Sequence, residues 1–387
     1  MERLLVSGEK YRALLNGERG LKPALCRLGL RVASVPYGWA VWLRNRLYDR
    51  GYLRVYRASI PVISVGNLTL GGTGKTPCVE YVARFFRQRG RRVAILSRGY
   101  GGAAKSRGSG EPGGVGSPKA PNDEALVLHE NLPDVPHLQG PHRATLAATA
   151  VRDLASEVLV LDDGFQHRRL ARDLDLVLLD ATEPWGFGYL FPRGGLREPP
   201  AELGRASAVI LTRCNRLNGR ERGRLREAVI RAVPGAPIIE TSHRPIDLVN
   251  SERVTAGLER LSGRTVAAFC GIGNPEAFRH TLIDLGAKVV AWRTLADHHR
   301  YSPRDVEELQ LWAGRLPAEC LIATTQKDLV KIRTVYLGGK ELWAVRIRLQ
   351  VDAGERELHM MLDSVLKEPS EVRYQRSENF RPLTSDL

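Results

Sequence analysis

The stretch VISVGNLTLGGTGKTP, residues 62–77, changes character twice within one short window. Residues 60–65 form an apolar, β-branched run that reads as a buried strand. Gly71, Gly72 and Gly74 then let the backbone turn tightly and aim its N–H groups inward. Lys75 opens a helix, whose N-terminus favours an anion. This order places Thr69, Leu70, Gly71, Gly72, Thr73, Gly74, Lys75 and Thr76 around a nucleotide phosphate. Lys75 reaches the β- and γ-phosphates and Thr76 holds Mg2+. The strict pattern G-x-x-x-x-G-K-[ST] asks for glycine at position 69, where this chain has Thr69. The loop is therefore a variant that keeps a small residue at its start.

Further along the chain, apolar runs alternate with amphipathic stretches. Strands are expected at 60–65, 92–97, 157–162, 175–180, 208–212 and 237–241, and helices at 75–88, 123–130, 143–155 and 220–232. A second alternation places strands at 265–270, 288–293, 319–324 and 341–348, with helices at 275–285, 303–313 and 354–366. Short Val/Ile/Leu-rich strands separated by helices imply a parallel sheet covered on both faces. The fold class is therefore α/β: a P-loop NTPase-like core at 58–245, a polar linker at 246–263 and a second, smaller α/β domain at 264–367. A basic amphipathic segment (1–57) precedes the core and a polar tail (368–387) follows. Residues 101–121, rich in Gly, Ser and Pro, read as a flexible loop.

The chain has 387 residues with 58 Lys+Arg against 43 Asp+Glu, a net charge of +15. Such an excess suits a polyanion, either nucleic acid or an anionic membrane surface. No zinc-finger spacing or aromatic-interleaved RNA motif accompanies it, so nucleic acid is not the expected partner. The five cysteines are scattered without a C-x-x-C pair, which argues against a disulfide frame and fits a reducing compartment. The N-terminus lacks the pattern of a signal peptide. Residues 32–43, VASVPYGWAVWL, are apolar and carry two tryptophans, yet are too short to span a bilayer. Eight basic residues and one acidic residue lie between Lys22 and Arg57. Apolar stem, aromatics and basic rim describe a segment lying in the membrane interface. The other reading is a helix packed on the protein's own core.

A phosphate loop needs carboxylates for its metal. The run EVLVLDD ends in Asp162 and Asp163, at the carboxyl end of a strand where ligands sit in such sheets. DDGFQH follows, and its DDG is compatible with a switch GTPase. Such a protein also wants an N-K-x-D-like base reader, for which TQKD at 325–328 is a poor match. Asp123 and Glu124 start a helix after the flexible loop, where Asp123 is either an N-cap or a carboxylate aimed at the phosphates. Asp297, His298 and His299 suit a metal or an assisted base equally well.

Taken together, VGNLTLGGTGKTP, SRGYGG (97–102), NDEA (122–125), LDDGFQHRRL (161–170), FPRGGLREP (191–199), AFCGIGNPEAF (268–278), ADHHRYS (296–302) and TTQKD (324–328) give a chain that resembles the tetraacyldisaccharide 4'-kinase family. The resemblance implies transfer of phosphate from ATP to the 4'-hydroxyl of a tetraacylated glucosamine disaccharide 1-phosphate, giving lipid IVA in lipid A biosynthesis. It implies a peripheral enzyme at the cytoplasmic face of the inner membrane. It also implies Asp123 as general base with His298 as its partner. Lys75, Asp163 and His167 join the catalytic site, and Thr76, Glu124 and Asp162 hold the metal. Arg98, Tyr100, Arg193, Arg197 and Glu198 are implied substrate contacts. Gln326 stands where the family usually has Glu, which puts a charge-dependent role there in doubt.

Overall fold

The computed structural model describes Leu15, residues 20–99 and residues 123–367. Tyr100, the loop at 101–121, the tail at 368–387 and most of the first nineteen residues lie outside the described residues. The first described helix, α1 (Leu21–Asp49), is followed by β1 (Val62–Asn67), α2 (Lys75–Gln88), β2 (Val93–Ser97), α3 (Asp123–Asn131), β3 (His137–Gln139), α4 (Arg143–Arg152), β4 (Val158–Asp162), β5 (Leu174–Asp180), β6 (Ala208–Thr212) and α5 (Gly219–Ala232). Then come β7 (Ile238–Val249), β8 (Thr255–Ala256), β9 (Thr265–Cys270), α6 (Pro275–Asp284), β10 (Lys288–Thr294), α7 (Pro303–Gly314), β11 (Leu321–Thr325), α8 (Gln326–Ile332), β12 (Tyr336–Leu337), β13 (Lys340–Ala353) and α9 (Glu355–Lys367).

The strands join in a single mixed sheet ordered β10-β9-β11-β13-β7-β6-β5-β1-β4-β2-β3, with β8 beside β7 and β12 beside β13. β1, β4 and β6 are buried along their whole length, as parallel strands covered on both faces must be. α2 covers one face through Val79, Val82, Ala83 and Phe86 and contributes to the core beneath the phosphate loop. Pro77 sits in its first turn, where no backbone donor is lost.

Two long strands splice the halves. β7 pairs parallel with β6 through residues 238–240, then continues past the carboxyl end of β6 to Val249. β13 returns antiparallel beside it and pairs with β11 through Leu342–Val345. The second parallel set thus meets the first with carboxyl ends facing, and a cleft separates them. Sequence periodicity located most helices and strands to within a few residues. It did not reveal how far β7 (12 residues) and β13 (14 residues) extend beyond the expected strands, because their outer residues are only partly buried and lack a continuous apolar run.

α1 runs unbroken through Pro36, which lies inside the helix. Its inner face is tied down: Ser34 Oγ donates to the Leu190 carbonyl at 3.1 Å and Tyr37 Oη to the Arg197 carbonyl at 2.8 Å. Val41 and Asn45 are buried. On the outer face, Leu21, Leu25, Leu28, Val32, Val35, Trp39 and Trp42 follow the three-four spacing of one helical stripe, and all are exposed, Trp39 by 67%. Among the described residues no helix is long and apolar enough to cross a membrane.

Candidate active site

The cleft has a volume of about 1180 Å3 and is lined from both halves. The phosphate loop supplies Gly71 to Thr76. Gly71 and Gly74 have φ of +107° and +89°, conformations that glycine alone adopts freely. Gly74 also needs its missing Cβ, which would collide with the imidazole of His243. Thr69 and Leu70 lie outside the lining. They anchor the loop instead: the Thr69 carbonyl accepts from Asn67 at 2.7 Å, and the Leu70 amide donates to Gly195 at 2.6 Å.

Lys75, 8% exposed, points its Nζ to within 3.6 Å of Asp163 Oδ1. Arg197 Nη1 reaches both oxygens of Asp163 at 2.9 Å. Burial pushes the Asp163 carboxyl up, but Lys75 and Arg197 outweigh it and hold it below the usual carboxylate range. Its neighbour Asp162 behaves oppositely. Burial, aided by Glu124, pushes it up to about 7 despite Lys75. Asp162 Oδ1 is buried with no hydrogen-bond partner. An orphaned carboxylate oxygen in the cleft that Thr76 also lines is the kind of group that a hard cation satisfies. No cluster of three metal-binding side chains occurs among the described residues.

Across the cleft, Asp123 begins α3 and His298 lies in the turn after β10. His298 Nδ1 is 3.0 Å from each Asp123 oxygen. Lys331 Nζ lies 3.5 Å from Asp123 Oδ2 and Lys327 Nζ 2.7 Å from Glu124 Oε1. Burial opposes ionisation of Asp123, but the His298 hydrogen bond and the two lysines prevail and hold it well below the carboxylate range. The same bond raises His298 above an ordinary imidazole. Asp163 and His298 both have positive φ, +54° and +56°. Non-glycine residues held in this region cost roughly 1–3 kcal/mol and cluster at functional sites.

The α3–α8 contact explains Gln326. Its Nε2 donates to Asn131 Oδ1 at 2.9 Å and to Glu130 at 3.2 Å, while Asn131 donates to Glu80 at 2.8 Å. A glutamate at 326 would face Glu130 without a donor to offer, so the amide is the neutral solution that keeps the two halves joined.

The remaining expected residues divide. Arg98 and Arg197 line the cleft; His167, Arg193 and Glu198 do not. His167 is half-buried, and burial together with Arg143 and Arg172 pushes it down to about 4. Arg193 stacks on Tyr189 at 4.3 Å, and its amide donates to Ser34. Glu198 is fully buried and ion-paired to Arg44 of α1 and to Arg205. Lys327, Lys331, Arg213 and His243 line the cleft although sequence reading singled out none of them. The lysines had a signal, since Lys327 lies within the quoted TTQKD block and Lys331 follows it by one helical turn.

A glycine loop after a buried strand, opening a helix opposite strand-end aspartates in a parallel sheet, defines a P-loop NTPase-like α/β protein. The family model described as Tetraacyldisaccharide-1-P 4'-kinase matches residues 26–367. A tetraacyldisaccharide 4'-kinase of Anaeromyxobacter sp. (strain Fw109-5) is 44% identical over 335 residues, covering 84% of this chain and 87% of the relative. One of Syntrophus aciditrophicus is 40% identical over 346 residues, covering 86% and 92%. A crystal structure of LpxK from Aquifex aeolicus in complex with ATP aligns with a TM-score of 0.67 at 32% identity, covering 88% of this chain and 99% of that one. The chain belongs to the tetraacyldisaccharide-1-P 4'-kinase family. These matches do not favour the GTPase-switch alternative.

Proposed function

We propose that the protein phosphorylates the 4'-hydroxyl of a tetraacylated glucosamine disaccharide 1-phosphate at the expense of ATP. The observation that carries this is the Asp123–His298 pair, bonded at 3.0 Å, in the same cleft as Lys75 and Asp163. A sugar hydroxyl is a weak nucleophile at neutral pH, and a carboxylate within about 3 Å takes its proton as attack proceeds. Asp123 is that base, and His298 fixes its orientation. Lys75 and the loop N–H groups stabilise charge on the transferring phosphoryl group. Arg197 holds Asp163 beside Lys75, and Arg98 lines the same cleft.

Asp162 and Thr76 would hold Mg2+, with Glu124 close by. The ion would supply positive charge to neutralise the phosphates. The orphaned Asp162 oxygen supports this fit.

The acceptor's acyl chains keep it in a bilayer, since each buried CH2 contributes about 0.8 kcal/mol. The exposed stripe of α1, flanked by arginines, suits an anionic membrane surface at the cytoplasmic face. Glu198 locks this helix to the core through Arg44, so surface and cleft move as one body. The test is transfer of 32P from labelled ATP to the disaccharide 1-phosphate in mixed micelles, with Asp123→Asn as control. Unlabelled glycolipid with active-site-intact protein rejects the reading.

A further inference from the structure

The block TQKD at 325–328 ends in Asp328, a residue that none of these roles uses. Asp328 lies in the first turn of α8 and is fully buried. Its carboxyl collects donors from several parts of the chain. Oδ2 accepts from the Gly271 amide, just after β9, at 3.0 Å and from Thr325 Oγ1, at the cap of α8, at 2.6 Å. Oδ1 accepts from Tyr301 Oη at 3.0 Å and lies 3.3 Å from Lys331 Nζ. Lys331 is the lysine that also reaches Asp123 Oδ2. Burial, reinforced by Asp328 itself, pushes the Tyr301 phenol up, so Oη keeps its proton and remains the donor.

Tyr301 stands three residues after His298. His298 sits in the left-handed region, and its side chain is 54% exposed. Packing around the ring therefore does little to aim it, and its direction is set by the backbone beneath. A non-glycine residue keeps such a φ only where its surroundings over-determine it. Upstream, the Leu295 amide donates to the Cys270 carbonyl at 2.8 Å, and the His299 amide closes the turn on the Ala296 carbonyl at 3.0 Å. The turn lies so close on Gly271 that a Cβ there would come within 3.0 Å of the Ala296 carbonyl oxygen and 3.2 Å of His299 Cβ. Downstream, Tyr301 is tethered through Oη to Asp328, and its ring rests edge-on against His299 at 5.0 Å and Phe269 at 6.3 Å.

We infer that Tyr301 is the positioning residue for His298, acting through the buried carboxyl of Asp328. The inference rests on the Asp123–His298 pairing proposed above and names what aims the imidazole. One carboxyl then serves both partners of that pair. Through Tyr301 it fixes the turn that carries His298, and through Lys331 it fixes the cation beside Asp123. Asp123 and His298 reach each other across the cleft, so a common reference point in α8 keeps their separation at 3.0 Å. Side chains locked by a supporting shell of hydrogen bonds hold a catalytic geometry that the reacting groups alone would let drift.

The test compares Tyr301→Phe with the wild type on the full chain, because phenylalanine keeps the ring contacts and removes Oη alone. The first readout is the imidazole 1H–13C NMR spectrum of histidine-labelled protein without nucleotide or lipid, with each signal assigned by its loss in the matching His→Ala variant. The His298 signal should move toward its position in Asp123→Asn, while that of His359, bonded to Tyr81 on the far side of the core, stays in place. The second readout is 32P transfer at saturating substrates. Misplacing a reacting group by about 1 Å can cost on the order of 100-fold, so losing one tether among several should lower kcat about 5- to 50-fold. The KM for ATP should change less than about twofold, since the phosphate loop is untouched. In a His298→Ala background the same substitution should cost less than about twofold, because no imidazole is left to aim. An unmoved His298 signal, a wild-type kcat, or an equal loss in the His298→Ala background overturns the assignment. The spectra need neither ATP nor lipid, so they decide the tether by themselves; absent transfer to the glycolipid by the wild type would reject the proposed function instead.

Discussion

Replacing His298 by alanine strips the base of the group that orients it. The Asp123 carboxylate is 7% exposed, so water cannot fully replace the imidazole that lies 3.0 Å from both of its oxygens. A hydrogen bond involving a charged group contributes about 1.5–3 kcal/mol. At about 1.4 kcal/mol per decade, losing it should lower kcat roughly 10- to 150-fold. The pH profile supplies an independent sign. Burial pushes Asp123 up, while His298, Lys327 and Lys331 hold it down. In the wild type the carboxylate is therefore ionised through the whole neutral range. Without His298, burial is opposed by the lysines alone, and the acid limb of kcat moves upward toward neutrality. Stability follows the same linkage. The depressed Asp123 contributes above the ordinary carboxylate pKa, and that contribution is lost as pH falls through its lowered value. The raised His298 contributes below the ordinary imidazole pKa, and its share is lost as pH rises through its higher value. The assay is initial-rate 32P transfer at saturating substrates from about pH 4 to about pH 9, with ATP affinity measured alongside and expected to change less than about twofold. Wild-type kcat with an unmoved acid limb would refute the reasoning.

Three further outcomes are expected. Lys75→Ala removes the cation facing Asp163 and the transferring phosphate, and should cut kcat about 100- to 1000-fold; single-turnover transfer reads this directly, and a loss below tenfold counts against the assignment. Glu198→Ala leaves Arg44 and Arg205 without their shared buried carboxylate and should cost about 3–5 kcal/mol in urea denaturation; unchanged stability would mean that the pairs are not holding α1 in place. Trp39→Asp with Trp42→Asp should reduce partitioning onto anionic vesicles about tenfold or more, because each indole adds roughly 1.5–3 kcal/mol when buried; equal binding would show that the α1 stripe does not face lipid.

The sequence by itself determined the elements whose cause is local. Glycines at 71, 72 and 74 after a buried strand, and Lys75 and Thr76 opening a helix, specify a phosphate loop wherever the chain goes next. Apolar runs bounded by turns located the buried strands, because a strand covered on both faces has nothing but apolar residues to offer. Asp162 and Asp163 were legible as strand-end carboxylates for the same reason. Only the tertiary structure decided what lies across the cleft. Asp123 and His298 are 175 positions apart and meet because β7 and β13 fold the second parallel set back toward the first. The antiparallel splice leaves no periodic mark in half-exposed strands. The same folding gave TQKD at 325–328 to the Asp123 side rather than to a base, and turned Glu198, a charged residue in a quoted block, into a buried tie for α1. Loop chemistry is written in neighbouring residues, whereas the distance between two carboxyl ends of a sheet depends on how far two strands run beyond their partners, which local pattern does not encode.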